Sequence, residues 1–189
     1  MNRRAPTIRR PATYRDVLDA PPHMVAELIH GALHLQPRPA MRHARASFRL
    51  AGRLDEPYQD GIGGPGGWHF AIEPELHLGP EVLVPELAGW RRETMPLFPD
   101  TAAVEIAPDW ACEILSPGTR RLDTTEKRGI YRENGVGHLW FVDPAARTLE
   151  VFALDGGRWV LASAHGDEDE VRAVRFEAVG FRLSALWPD

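Results

Sequence analysis

Cysteine is nearly missing from this chain of 189 residues: Cys112 stands alone, which excludes an internal disulfide and suits a reducing compartment. Long apolar runs are missing too. None approaches the roughly 18 residues that a membrane-spanning helix needs, so no membrane partner is expected. Positive charge is not in surplus either: 22 Lys and Arg face 27 Asp and Glu, a net charge of −5. That excludes a chain-wide attraction to nucleic acid and leaves only a local patch to make such contacts. The glycine-rich stretch Asp60–Gly67 lacks both the GxxxxGK[ST] and the GxGxxG spacing and reads as a connector rather than a phosphate loop. The basic N-terminus MNRRAPTIRRPATY has no apolar core of a signal peptide. Together these absences predict a cytoplasmic protein.

What is present is ordinary globular material, 43% hydrophobic and 26% charged. The length predicts one domain over residues 13–189, behind a flexible, basic arm at 1–12. Val25–Ile29 and Ala32–Gln36 read as a hairpin, with Glu27 as a lone acid open to a solvent-facing position on an edge strand. Residues 40–58 have helical spacing, with an apolar stripe through Met41, Ala44, Phe48, Ala51 and Leu54. Arg42, Arg45, Arg49 and Arg53 lie beside that stripe, as a solvated face or as a phosphate-contacting one. His43 reads as a helix-surface histidine. Strands are expected at Trp68–Ile72, Glu75–Leu78 and Val82–Pro85, and Trp90–Asp100 reads as an irregular loop.

The stretch Pro108–Asp143 organises the rest. Trp110–Leu115 reads as a strand with Trp110, Cys112 and Ile114 on one face and Ala111, Glu113 and Leu115 on the other. Ser116-Pro117-Gly118 stops it. Asp123 and Glu126 have the spacing of a capping box for a helix that ends at Asn134-Gly135, with Ile130 and Tyr131 facing inward. His138–Val142 follows as a buried strand, and hairpin strands at Thr148–Ala153 and Trp159–Ala164 come next.

Glu113 is a charge inside an apolar strand, which costs several kcal/mol unless it is paired or binds a cation. Glu86 ends another apolar run, 27 residues earlier. If the two strands share a sheet, the carboxylates can converge, and converging carboxylates repel unless a cation joins them. Hard oxygen ligands suit Mg²⁺ or Mn²⁺. Lys127 could orient or deprotonate a water, or neutralise developing charge. The bland readings stand beside these: Glu126 as a cap, Lys127 as an exposed first-turn lysine, Glu86 as a loop residue.

Several of these motifs resemble the bacterial Uma2 family of the PD-(D/E)XK nuclease superfamily. They are Pro85-Glu86, Glu113-Ile114-Leu115-Ser116-Pro117, Arg120-Arg121-Leu122-Asp123, Glu126-Lys127, Tyr131, Gly135-Val136 and Leu139–Pro144. Val25–Gly31 is similar to that family's opening hairpin. The resemblance implies an α/β fold with a restriction-endonuclease-like core: a central mixed sheet flanked by helices, here with extra C-terminal strands. It implies Glu27 as the first acid, Glu86 where Asp is usual, and Glu113 as the acid of the (D/E)XK strand. The usual lysine two residues later is replaced by Leu115, and Lys127 matches a lysine moved to the following helix. The function it implies is Mg²⁺- or Mn²⁺-dependent hydrolysis of DNA, with Glu86 and Glu113 as metal ligands and Arg120 and Arg121 as phosphate contacts. A non-catalytic binding domain of the same fold is the alternative. So is a structural homodimer using Trp159 and Trp187.

Overall fold

The computed structural model describes residues 10–37 and 39–187. Residues 1–9 of the expected arm therefore lie outside the described residues. Of the remainder, Arg10 pairs with Asp16 at 2.7 Å and the Ala12 amide bonds Gly31 O at 2.7 Å.

A short helix α1 (Tyr14–Leu18) leads into the hairpin β1 (Met24–Ile29) and β2 (Ala32–Pro37). Helix α2 (Met41–Leu54) follows and runs on into a π-helical turn, Asp55–Gln59. Next come β3 (Trp68–Ile72), β4 (Glu75–Leu78), β5 (Glu81–Leu83), β6 (Leu87–Arg91), β7 (Ala103–Val104) and β8 (Trp110–Ile114). One helical segment then links three pieces: α3 (Arg120–Leu122), a π turn over Asp123–Lys127, and α4 (Arg128–Glu133). The chain closes with β9 (His138–Asp143), β10 (Thr148–Asp155), β11 (Arg158–Gly166), the short pair β12 (Glu170–Val171) and β13 (Phe181–Arg182), and a 3₁₀ turn at Leu183–Leu186.

Two sheets carry the fold. The larger has the order β11-β10-β9-β8-β6-β3, and the smaller β2-β1-β5-β4-β7. Strands β8 and β9 pair in parallel, Glu113 opposite Phe141, and the α3–α4 segment supplies the crossover that a parallel pair requires. All six residues of β9 are buried, as expected of a strand covered on both faces.

The alternation along β8 divides the core. Trp110, Cys112 and Ile114 pack with Ala46, Leu50 and Leu54 of α2 and with the C-terminal segment around Phe176. Ala111 and Leu115 pack on the other face with Ile130, Tyr131 and strands of the smaller sheet. The large sheet is thus sandwiched between α2 on one side and the crossover helix with the small sheet on the other. Both faces of β8 follow the sequence expectation.

Three elements do not. The expected α2 stripe is wrong: Met41 is 85% and Phe48 73% exposed, while Ala46, Ser47, Leu50 and Leu54 are buried. Ala46 and Ser47 with Leu50 and Leu54 form the face that meets the sheet, and Met41 and Phe48 fall outside it. The expected loop at Trp90–Asp100 begins instead inside β6, which bridges β8 and β3. Its Ala88 and Gly89 have low strand propensity, but tertiary pairing overrides that. A Cβ on Gly89 would stand 2.8 Å from the Phe70 ring and 3.2 Å from Trp110, so only glycine fits there. The expected capping box is also absent. Asp123 lies inside the helical segment and Glu126 is 3.4 Å from His30.

The ring of Phe176 lies within 6.0 Å of the rings of Tyr58, Trp68, Phe70, Trp110 and Trp140. Phe176→Ala should cost about 3–5 kcal/mol of unfolding free energy, measured by urea titration. A loss below about 1 kcal/mol would mean that these rings do not form one packed unit.

Candidate active site

Lys127 ends the π turn and points inward. Asp123 and Lys127, four residues apart, share one face of the helical segment, and that face is buried, 3% and 2% exposed. The Lys127 ammonium meets Glu113 Oε1 at 2.8 Å, Glu27 Oε1 at 2.9 Å and Asp123 Oδ1 at 3.8 Å, and donates to Val84 O at 3.4 Å.

Each carboxylate is held by its own element. Glu27 projects from β1 and is fully buried, which corrects the solvent-facing reading. Its Oε1 accepts the Val84 amide at 2.8 Å, and its Oε2 accepts the Gln36 amide side chain at 2.7 Å. Glu113 Oε1 also accepts the Tyr131 hydroxyl at 2.5 Å. Glu86 leaves the turn between β5 and β6. Its Oε2 accepts the Ile114 amide at 2.9 Å and its Oε1 lies 2.9 Å from His43 Nε2. With Glu86 bonded to the Ile114 amide, next to Glu113 in β8, the two carboxylates lie close enough to act on each other's titration. The sheet therefore does bring these two acids together.

These contacts set the charges. Burial pushes Glu113 well above the carboxylate range, and the like charges of Glu86 and Asp123 add to it against the opposing pull of Lys127. Burial also acts on Glu86, but the His43 and Glu113 hydrogen bonds and the Lys127 charge outweigh it and leave Glu86 low. Burial disfavours the Lys127 ammonium, yet Glu113 and Glu27 overcome that and hold its pKa well above normal. Lys127 is a fixed cation, not a proton acceptor. Burial likewise raises Tyr131, with Glu113 contributing, so its hydroxyl stays a donor.

A cleft of about 450 Å³ opens above this cluster. His43, Glu86, Asp123 and Lys127 line its floor, with Val25, Leu35 and Pro37 of the hairpin on one side and Ser116, Gly118 and Thr119 on the other. Of the expected phosphate contacts, the Arg120 guanidinium is paired with Asp143, and Arg121 is exposed. Arg45 and Arg49 of α2 donate to Trp187 O and Ala185 O, so they clamp the C-terminal segment and form no phosphate face.

Sequence reasoning missed three members of this cluster in their observed roles: His43, Asp123 and Tyr131. It also passed over a signal at Lys127, the single lysine beside 21 arginines. An arginine's planar fork could not replace a compact ammonium between carboxylates.

A mixed sheet with a parallel β8–β9 pair, a crossover helix and an acid–lysine cluster at their mouth defines a restriction-endonuclease-like fold. A crystal structure of a "putative nuclease belonging to DUF820" from Anabaena variabilis ATCC 29413 has this fold, with a TM-score of 0.74 at 19% identity, covering 93% of this chain and 97% of that one. The chain belongs to the Uma2 family, whose model, described as "Putative restriction endonuclease", matches residues 11–185. No curated protein matches it.

Asp123 gives this site a signature in stability. Burial raises its pKa from 3.8 to about 6 in the folded protein. Its protonated form is favoured by folding, so that contribution is complete below about pH 3.8 and is lost as pH rises through about 6. Urea midpoints should therefore fall more steeply between pH 4 and 7 for the native protein than for Asp123→Asn. Equal slopes for the two proteins would contradict the assigned environment.

Proposed function

We propose that this chain is a divalent-metal-dependent nuclease that hydrolyses DNA phosphodiester bonds in the cytoplasm, with Mg²⁺ or Mn²⁺ held by Glu86 and Glu113. The observation that carries this reading is the convergence of those two acids, Glu86 on the cleft floor and Glu113 buried behind it, with the Lys127 ammonium against Glu113. Two converging carboxylates are a donor set for a hard cation, and the residues fit one. Two protein oxygens with water and phosphate oxygens are a sufficient shell for Mg²⁺. Among the described residues no group of three or more His, Cys, Asp or Glu is placed to hold an ion alone, so the shell would be completed by water and substrate. Such an ion would supply Lewis-acid polarisation of the phosphate and a more acidic water.

The chain's own groups divide the remaining work. Lys127 stays protonated and stabilises negative charge gathering on the phosphate. Glu27 and Tyr131 hold Lys127 and Glu113 in place. His43 and the Ile114 amide fix both oxygens of Glu86, so the longer Glu side chain cannot wander from its position. In the hydrolysis, the water oxygen forms a bond to phosphorus, the bond to the leaving oxygen breaks, and that oxygen takes up a proton.

The test is DNA cleavage with Mg²⁺, Mn²⁺ or chelator. Glu86→Ala, Glu113→Ala and Lys127→Ala should each lower the rate about a hundredfold or more, with folding followed by circular dichroism. Cleavage that survives in chelator, or in a folded Glu113→Ala protein, would sink the site. His43→Ala should act through Glu86, raising the Mg²⁺ concentration for half-maximal rate about 10- to 100-fold. An unchanged metal requirement would remove His43 from that role.

A binding domain without catalysis is the second reading, favoured by the deep burial of Lys127 and Glu113 and by bonds that both already make within the chain. Metal binding at Glu86 and Glu113 without cleavage would decide for it. Of the two side chains expected at a dimer interface, Trp187 is packed in the core and Trp159 is half-buried. Trp187 is 4% exposed in the core, and the Trp159 indole donates to Arg128 O at 2.9 Å.

A further inference from the structure

Resting on the nuclease reading, we infer that the cleft takes DNA with an unpaired nucleotide at the scissile phosphate, as in a single strand or a flap, and not a continuous duplex. The first observation is depth. Lys127, Glu27 and Glu113 are at most 2% exposed, and Glu86, the most open of the acids, is 20% exposed in its side chain. A phosphate reaches that floor only by entering the cleft. The stacked bases of a duplex hold its backbone on a convex outer surface, whereas a single strand can bend inward.

The second observation is the wall. Val25, Leu35, Pro37 and Pro39 give one side of the cleft an apolar surface next to the acids. Apolar side chains beside a phosphate site have the sugar or the face of an unstacked base as their natural contact. About 450 Å³ falls within the range of sites that enclose a small ligand, the scale of one nucleotide.

The third observation is the pairing of the arginines. Proteins that grip duplex DNA neutralise several phosphates with free cations. Among the described residues, Arg91 pairs with Asp109, Arg120 with Asp143, Arg147 with Asp167 and Arg172 with Glu170. Arg45 and Arg49 are spent on backbone carbonyls. Among the described residues Arg42, Arg53, Arg92, Arg121 and Arg158 are exposed and in no ion pair, so with a net charge of −5 the cations left for a duplex backbone are few beside those already paired.

Fluorescence anisotropy on the full chain tests this, using one labelled oligonucleotide alone, the same sequence fully paired, and the duplex with a single-stranded flap. Ca²⁺ occupies the oxygen site in the binding arm, and Mg²⁺ is used in a parallel cleavage arm. The single strand and the flap should bind and be cut at least tenfold better than the duplex. The slope of log K against log salt for the single strand should be about −1, the mark of one or two phosphate contacts. Leu35→Asp, at a side chain already 42% exposed, should weaken single-strand binding tenfold or more with an unchanged circular dichroism spectrum. Equal binding of duplex and single strand, a duplex slope of about −5 or steeper, or an unaffected Leu35→Asp protein would overturn the inference. If duplex is cut as fast as single strand and that cutting needs Glu113, the nuclease reading stands while this inference falls. If no DNA is bound or cut, both fall.

Discussion

A single buried ammonium constrains this molecule. Removing a charge from water costs several kcal/mol, and the cost is met only when opposite charges and hydrogen bonds surround it closely. Lys127 finds them on three separate elements: Glu27 from the small sheet, Glu113 from the large sheet and Asp123 from its own helical segment. None of these elements can settle without the others, because each would leave a charge unpaired. Docking of the two sheets and assembly of the site are one event.

The same cluster contains a deliberate imbalance. Glu86 and Glu113 converge although like charges repel, with the Lys127 ammonium against Glu113. Nothing in the packing requires Glu86 to be acidic; the β5–β6 turn could carry many residues. Its neighbours nevertheless hold it charged and tethered, through His43 and the Ile114 amide. Such a crowded carboxylate pair is costly, and it is met by stability elsewhere, here in the aromatic packing around Phe176.

Much of this could be read from the chain before its fold was known. Period-two alternation set the two faces of β8 correctly, and the charge that broke the alternation, Glu113, led to the site. Lys127 and Glu86 followed from residue type and order. What escaped is what local periodicity cannot carry. The α2 stripe failed in part because the face that docks on the sheet, Ala46, Ser47, Leu50 and Leu54, is set by the tertiary packing and not by apolar spacing alone. Glu27 looked like an edge-strand acid because its partner lies 100 residues further along the chain. His43 looked like a surface residue because its meaning depends on Glu86, placed by another element. Asp123 and Glu126 matched a helix start, but the helix had begun earlier and was wound differently at that point.

That winding makes the site sensitive to counting as well as to composition. A π turn is one residue more than an α-helix would use, and each residue turns an α-helix by about 100°. A chain shortened by one residue within 123–127 would relax to a regular helix, with every named acid still in the sequence. Lys127 and Tyr131, both downstream of a deletion at Thr124 or Thr125, would then rotate together away from Asp123 and Glu113. The spelling of the motif would survive almost intact, and its reading frame in space would be gone.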